Sequence, residues 1–398
     1  MVRPTPSIML ANRINQLTPS PTLSLNSKIK ELQAQGLAII NLTAGEPDFA
    51  PPSVLKEALI ATVNQKCHHY TPVAGILELR QAIAQKYRNT YQLNYQADNV
   101  IVSSGAKQVL YNALASLINP EDEVIVYTPT WSTYIEQIKL VQGVPVLINL
   151  EPPFQLTAAH LEAKITSKTK AVILNYPHNP TGQLIALNEL RNIIQLAKQH
   201  QFWLISDEIY ETIVFDDQPH QCLPAIDPTI QDQCLVVSGL SKSHAITGWR
   251  LGWGCGPQEL IRAMTDLQGQ MTSGASSVIQ QAALAAFLDL ETPKQMARAY
   301  QDRRDQIWPE LASIPGLKPI KPQGAFYLFV DIRDLLNDTY PTSASWCQAL
   351  LTEQQVAVVP GEAFLAPGYF RLSFAAALPE LLLAVEKIRA FVTKSRSE

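Results

Sequence analysis

Cysteine is scarce in this chain, and what there is shows no pattern. The 398 residues include five, Cys67, Cys222, Cys234, Cys255 and Cys347, with no paired spacing that would close a metal site. An odd, scattered set excludes a disulfide-built scaffold and reads as reduced thiols in a cytosol-like compartment. Charge of one sign is also missing. A formal net charge of -4, with no long basic or acidic run, gives neither nucleic acid nor a membrane surface much to hold. No uninterrupted apolar stretch reaches the length of a bilayer span. Residues 1–9, with one arginine and two prolines, lack the apolar core of a signal peptide. Internal repeats and low-complexity tracts are absent as well. The expectation is a soluble, cytoplasmic chain without a metal.

What is present is ample apolar material, 46% of the residues, arranged in a regular rhythm. Strand-length apolar runs recur at 100–102, 124–127, 144–148, 171–174, 203–205, 235–237 and 251–253. Most are separated by stretches of helical periodicity such as 107–117 and 187–200. Continuous apolar strands interleaved with helices predict an α/β fold, a mainly parallel seven-stranded sheet covered on both faces. Sites in such sheets gather at the carboxyl ends of the strands, where Asn175, Asp207 and Ser238 fall. Beyond Pro257 helical content rises, and runs at 326–330, 356–359 and 370–374 read as strands between helices near 345–354 and 379–392. This is a second, smaller α+β domain. The expected division is an N-terminal arm and part of the small domain over 1–50, a large domain over 51–295, and the small C-terminal domain over 296–398. Residues 1–24, rich in Pro, Ser and Thr, read as an extended arm. Asn26 is then the natural cap of a helix ending at Gln35, with Gly36 as its stop.

Several residues are placed to carry chemistry, and each alone has a plainer reading. Lys242 lies in the Ser-Lys-Ser triplet beyond the run 235–237. A poorly solvated lysine at a strand end loses its proton and becomes a nucleophile, whereas a lone lysine is ordinarily a solvated surface group. Asp207 ends the run Phe202-Trp203-Leu204-Ile205-Ser206 and could simply cap a helix. Ser104, Gly105 and Ala106 open a helix whose free N–H groups suit a phosphate, although strand-to-helix turns commonly look alike. Asn179-Pro180-Thr181-Gly182 is a rigid turn, and His178 beside it reads as a turn residue without a role. Arg250 in an apolar setting needs an anion. Arg371 between Phe370 and Leu372 is read either as a site residue or as an edge-strand arginine facing solvent.

Taken together, the Ser-Lys turn with Arg250 eight positions on, the Asn-Pro-Thr-Gly turn, the Asp207-Glu208-Ile209-Tyr210 stretch and the late Arg371 form an ordered set. It resembles the fold-type I pyridoxal phosphate (PLP) aminotransferases of the aspartate aminotransferase branch, over nearly the whole chain from Ala44-Gly45-Glu46-Pro47-Asp48-Phe49 to Arg371. The resemblance implies pyridoxal 5'-phosphate as cofactor. It casts Lys242 as the lysine that carries PLP and then moves the proton between the substrate Cα and the cofactor. Asp207 would pair with the pyridine nitrogen and keep it protonated. Tyr210 and Asn179 would partner the phenolic oxygen, and Trp131 would stack on the ring. Gly105, Ala106 and Arg250 would hold the phosphate, and Tyr70 would reach the phosphate of a neighbouring subunit, implying a homodimer. Arg371 would grip the substrate α-carboxylate, with Gly45 lining the same pocket. Where some relatives carry a phosphate-binding serine this chain has Gly239.

Lys107 speaks to the side chain of the substrate. In the branch resembled, a lysine here recognises the distal carboxylate of acidic substrates; otherwise it is a helix-surface lysine. The resemblance thus implies transamination between aspartate and 2-oxoglutarate. An aromatic or neutral amino-acid aminotransferase, a prephenate aminotransferase, or a PLP lyase or synthase on the same scaffold is the alternative. Relatives that use prephenate tend to have a basic residue where Thr18 aligns. A PLP-sensing regulator would add a basic helix-turn-helix, and the first residues have neither its charge nor its periodicity.

Overall fold

The computed structural model describes residues 11–19, 21–65 and 68–395. Its frame is a seven-stranded sheet in the order Val100–Ser103, Gly252–Cys255, Cys234–Gly239, Trp203–Asp207, Thr169–Asn175, Glu123–Thr128, Val144–Asn149. Six strands run in one direction, and Gly252–Cys255 runs against both its neighbours. All seven coincide with apolar runs in the sequence, because both faces of the sheet are covered. Ile101, Val124, Val126, Ile173, Ile205, Leu235 and Val237 pack on one side with Val109, Leu110 and Leu114 of the helix Ala106–Leu117. Their alternates, Val100, Val102, Ile125, Val172, Leu174 and Leu204, join Ile83 of the helix Leu77–Tyr91 and Ile193 of Leu187–His200 on the other. Strand side chains alternate faces, so a run apolar at every position is what a twice-covered strand requires. Cutting one of these fully buried residues, such as Ile205, to alanine costs about 2–5 kcal/mol.

The second core gathers on an antiparallel four-stranded sheet, Val359–Pro360, Tyr369–Ser373, Tyr327–Asp331 and Lys318–Ile320. The long helix Glu291–Ala312 and the helix Leu378–Ser395 supply Tyr300, Ile307, Ile388 and Phe391 to it. The N-terminal segment joins this part of the molecule, because Ile40–Asn41 pairs in parallel with Val356–Ala357.

Several local expectations fail. The described part of the arm is not extended: it contains the short helix Asn12–Asn15 and then the helix Pro21–Ala34. Pro21 stands at the first helical position, where its missing N–H costs nothing and its fixed φ suits the helix. Asn26 therefore lies inside the helix and is not its cap. The stripe Leu25, Ile29 and Leu32 packs on Leu351 and Ala357, which is the tertiary contact that holds it. The run 356–359 is two strands in two sheets, Val356–Ala357 and Val359–Pro360, with Val358 turning between them. Arg371 is not on an edge, for its strand has a neighbour on each side. Lys242 sits in a single helical turn, Leu240–Ser243, where the sequence suggests a loop.

Candidate active site

The carboxyl ends of the parallel strands place three consecutive contributors side by side. Asn175 is in register with Asp207, and Asp207 with Val237, two residues before Gly239. The chain leaving Gly239 carries Lys242 back over this edge. Here lies a cavity of about 370 Å³, within the size range of small-molecule sites, lined by Gly45, Ala106, Lys107, Trp131, Asn179, Asp207, Tyr210, Lys242, Arg250 and Arg371. Those are ten of the twelve residues singled out in the sequence. Gly105 stands next to Ala106 behind the Arg250 guanidinium, and Tyr70 is elsewhere, 96% exposed.

Asp207 is buried, and its carboxylate accepts from the Tyr134 hydroxyl at 2.7 Å and from the Ile209 backbone N–H at 3.2 Å. Burial nevertheless wins and raises its pKa to about 6, since two neutral donors do not replace the lost hydration of a charge. No cation lies within ion-pair distance of it among the described residues. Lys242 shows the opposite shift from the same cause: burial lowers it to about 8. Its amine donates to the Gly45 carbonyl. An acid that resists ionising and an amine that sheds its proton thus share one cavity.

Arg371, also buried, donates from Nη1 to Asn179 Oδ1 at 2.9 Å and from Nη2 to the Thr43 carbonyl at 2.8 Å. Its Nε has no partner, and its guanidinium lies over Tyr327 at 4.3 Å and Phe364 at 4.8 Å from the ring centroids. Burial lowers its pKa too, yet guanidinium stays charged across the working range. Tyr210 and Tyr327 share a 2.8 Å hydroxyl–hydroxyl bond. Burial raises both, so both remain donors.

On the opposite side the helix Ala106–Leu117 begins without a side-chain cap at Gly105, leaving its first N–H groups for an anion. Gly105 holds φ +91°, the count on which glycine is favoured, and a Cβ there would meet Arg250 Nη2 at 2.6 Å and push the guanidinium aside. Arg250 donates to the Thr247 and Ser104 carbonyls and has no carboxylate partner among the described residues. Lys107 Nζ stands over the Trp131 ring at 4.6 Å. Burial and the charge of Arg250 both lower Lys107: two cations stand close together with no anion between them.

The groups fit pyridoxal phosphate. The bare helix terminus and Arg250 suit a phosphate, the unpaired Asp207 suits a cationic ring nitrogen, Lys242 suits a carbonyl, and the open Nε of Arg371 suits a carboxylate. Gly239 in place of a serine is explained by close packing, since a Cβ there would lie 2.9 Å from the Leu251 carbonyl. Ser241, two residues on, lines the cavity. Sequence reasoning placed Asn175 at the strand end without giving it a role, and it did not single out Ser241, Tyr134 or Tyr327, which line the cavity along with Thr43, Leu110, Ile209 and Thr247. Tyr134 gave no signal, because Trp131 lies outside the helix Thr133–Leu140; the fold brings the two rings edge to face, 5.3 Å between centroids.

Known proteins resemble this chain over nearly its whole length. The sequence model of "Aminotransferase class I and II" matches residues 38–387. The aspartate aminotransferase of Bacillus sp. (strain YM-2) is 42% identical over 96% of this chain and 99% of its own length. A probable aspartate/prephenate aminotransferase of Aquifex aeolicus (strain VF5) is 38% identical over 96% of this chain and 98% of its own. Among solved structures, aspartate aminotransferase from Thermus thermophilus with maleate is 36% identical with a TM-score of 0.92, covering 97% of this chain and all of that one.

Proposed function

The chain belongs to the class I and II aminotransferases, PLP-dependent enzymes of fold type I, and from that premise we propose that it moves the amino group of L-aspartate to 2-oxoglutarate, giving oxaloacetate and glutamate. The observation that carries the choice of substrate is Lys107, a second cation lining the same cavity as Arg371, with no carboxylate of the described residues to pair with. A dicarboxylate offers one carboxylate to each cation. The aspartate aminotransferases among the relatives and the maleate bound by the Thermus thermophilus protein support it.

When bound, PLP supplies the carbonyl that carries the amino group and the ring that absorbs electrons from the substrate. The protein's own parts then divide as follows. Arg371 forks onto the α-carboxylate and fixes Cα. Lys242, neutral above about pH 8, would hold the cofactor at its carbonyl carbon and would take the proton from the substrate Cα. Asp207 presents a carboxylate to the ring nitrogen and favours its protonated form. The Tyr210 hydroxyl and the Asn179 amide address the phenolic oxygen, and Trp131 covers one face of the ring. Ala106, Gly105, Ser241 and Arg250 bind the phosphate, and Gly45 bounds the substrate pocket while its carbonyl positions the Lys242 amine.

The active unit in this reading is a cytoplasmic homodimer. Tyr70, distant from the cavity of its own chain, is free to reach another. Ile60 and Leu288 are also exposed, Leu288 by 85%, apolar surface that a second copy would cover. The four described cysteines are unpaired and buried, in keeping with a reducing compartment. No helix among the described residues is long and apolar enough to cross a membrane. The arm and second sheet are taken to form the smaller domain, divided near residues 50 and 295. Prephenate remains the second substrate reading because relatives at 38–39% identity carry that name. Thr18, however, brings a hydroxyl and no cation, and its backbone N–H donates to Glu136 at 3.0 Å.

The test is a screen of amino donors against 2-oxoglutarate with wild type and Lys107→Ala. Aspartate is expected to be the preferred donor, and the variant to lose roughly tenfold or more in KM for dicarboxylates with little change for a neutral amino acid. Equal losses for both classes would remove the acidic-substrate reading.

A further inference from the structure

The turn at the phosphate end of the cavity is held from behind by a closed ring of hydrogen bonds. Gly105, the cap of the helix Ala106–Leu117, has no side chain to turn back on its own terminus. Its N–H is spent on the Ser103 carbonyl at 2.7 Å. Gln108, the third residue of the helix, reaches back instead, and its Oε1 accepts from the Ser104 N–H at 2.7 Å. A glutamine at that position ordinarily returns to the capping residue itself; here it reaches one residue further. A backbone N–H can only donate, so the amide oxygen faces Ser104 and the amide nitrogen is left for another partner. That nitrogen donates to Thr272 Oγ1 at 2.7 Å. Thr272 gives its own proton to the Ser273 carbonyl at 3.1 Å, which leaves its oxygen free to accept.

Thr272 follows the helix Gln258–Met271, and its N–H donates to the Gln268 carbonyl at 3.0 Å. The Gln268 side chain returns to the other end of the same turn. It is fully buried. Its Oε1 accepts from Ser103 Oγ at 2.5 Å and from the Asn112 amide at 2.9 Å, while its Nε2 donates to the Val73 carbonyl at 2.8 Å and the Val102 carbonyl at 3.0 Å. Ser103 and Ser104 are thus both referred to one residue, Ser103 by the Gln268 side chain and Ser104 through Gln108 and Thr272. What hangs on Ser104 is the aim of Arg250. The Ser104 carbonyl accepts from Arg250 Nη2 at 3.4 Å, and the same nitrogen would lie 2.6 Å from a Cβ at Gly105. A Ser104 peptide that shifts takes with it this partner of Arg250 and the start of the helix whose N–H groups suit the same anion.

We propose that Gln108 is a positioning residue for the anion end of the cavity: by clamping Ser104 to Thr272 it keeps Arg250 and the start of the helix Ala106–Leu117 aimed at one phosphate. This rests on the reading of that end as the phosphate site of PLP. Gln108 stands outside the cavity lining and acts through Ser104.

The experiment compares wild type with Gln108→Met, Thr272→Val and Thr272→Ser. It measures the dissociation constants of pyridoxal phosphate and of unphosphorylated pyridoxal for each apo-protein by absorbance titration, together with apo-protein melting. Gln108→Met keeps the length of the side chain and loses both bonds. Thr272→Val removes only the oxygen that anchors Gln108, and Thr272→Ser keeps that oxygen. Gln108→Met is expected to weaken pyridoxal phosphate about fivefold, the worth of one hydrogen bond, with pyridoxal staying within about twofold of wild type. Thr272→Val should weaken the phosphorylated ligand by about threefold, and Thr272→Ser should bind both ligands as wild type does. A merely structural role would lower melting and weaken the two ligands alike. Equal losses for the two ligands in Gln108→Met, or wild-type binding of both by that variant, would overturn the proposal, as would Thr272→Ser behaving like Thr272→Val. Where Gln108→Met does not fold, the two Thr272 variants carry the test. Failure of wild type to prefer pyridoxal phosphate to pyridoxal would instead overturn the phosphate-site reading beneath it.

Discussion

Asp207→Asn should change how the apo-protein's stability responds to pH, in a direction unusual for a carboxylate. The carboxylate is 3% exposed, and burial raises its pKa from 3.8 to about 6. Between those two values the folded chain keeps the proton and the unfolded chain releases it. Stability from this group is therefore fully present below the unfolded pKa and is lost as pH rises through the folded one. A gap of about two units corresponds to ~3 kcal/mol, with little discount for solvent screening at a site so enclosed. From about pH 4.5 to about pH 7.5 the loss amounts to ~2 kcal/mol, the remainder lying at lower pH. Asparagine keeps an acceptor for the Ile209 N–H and cannot ionise. Chemical denaturation of the wild-type and Asp207→Asn apo-proteins at the two pH values isolates the effect, because the other carboxylates cancel in the difference. The variant should gain ~2 kcal/mol on wild type between the lower and the higher pH. Adding PLP should abolish that gain, since Asp207 then has a cation to face. Parallel pH profiles for the two apo-proteins would refute the reasoning.

The complementary shift at Lys242 predicts its reactivity. Reductive alkylation of the apo-protein by a small aldehyde, mapped by mass spectrometry, should reach half its maximal rate at Lys242 near pH 8, because burial disfavours the ammonium form; a midpoint near that of an exposed lysine, roughly 10.4, would contradict it. Gly105→Ala should weaken binding of pyridoxal phosphate at least about tenfold through the strained φ and the displaced guanidinium, while binding of unphosphorylated pyridoxal falls much less. Equal losses for the two ligands, followed by absorbance titration, would place the damage outside the phosphate site.

How far the sequence discloses this molecule depends on which physical constraint each part obeys. The inner strands of the large sheet are legible because burial on both faces favours unbroken apolar runs; the edge strand Val144–Asn149, mostly half-buried, is legible from its own apolar run. Lys318–Ile320 is not, since an edge strand of three residues containing a proline obeys no such demand. Lys242, Asp207, Arg250 and Arg371 are legible through their spacing and chemistry, as a charged group in an apolar setting is costly and so informative. Tyr327 is hidden for the contrary reason: an aromatic residue in an apolar strand looks like core. Its place follows only from register. Phe329 pairs with Arg371, and Tyr327, two residues from Phe329, shares that face. No run of sequence contains this fact, because it depends on which strand lies beside which.

The segment from Asp207 to Glu211 argues independently that the missing cation belongs to a ligand. Its acids meet two different surroundings within one turn. Burial pushes Glu211 upward, yet its bond to Lys86 at 2.6 Å and that from Ser238 at 2.7 Å hold it below its usual range. Glu208, fully buried, is engaged by Ser206 at 2.8 Å and by His220 at 2.8 Å. Behind the sheet, then, the protein supplies its acids with their own partners. Asp207 alone faces the cavity with neutral donors and a raised pKa, although Arg250 and Lys242 line the same space. Burying a carboxylate without a counter-ion costs stability, and a chain that pairs Glu211, four residues on, could equally have paired Asp207. A cation brought to that one position would complete the arrangement, as a protonated ring nitrogen would if Arg250 and the helix terminus held the cofactor's phosphate.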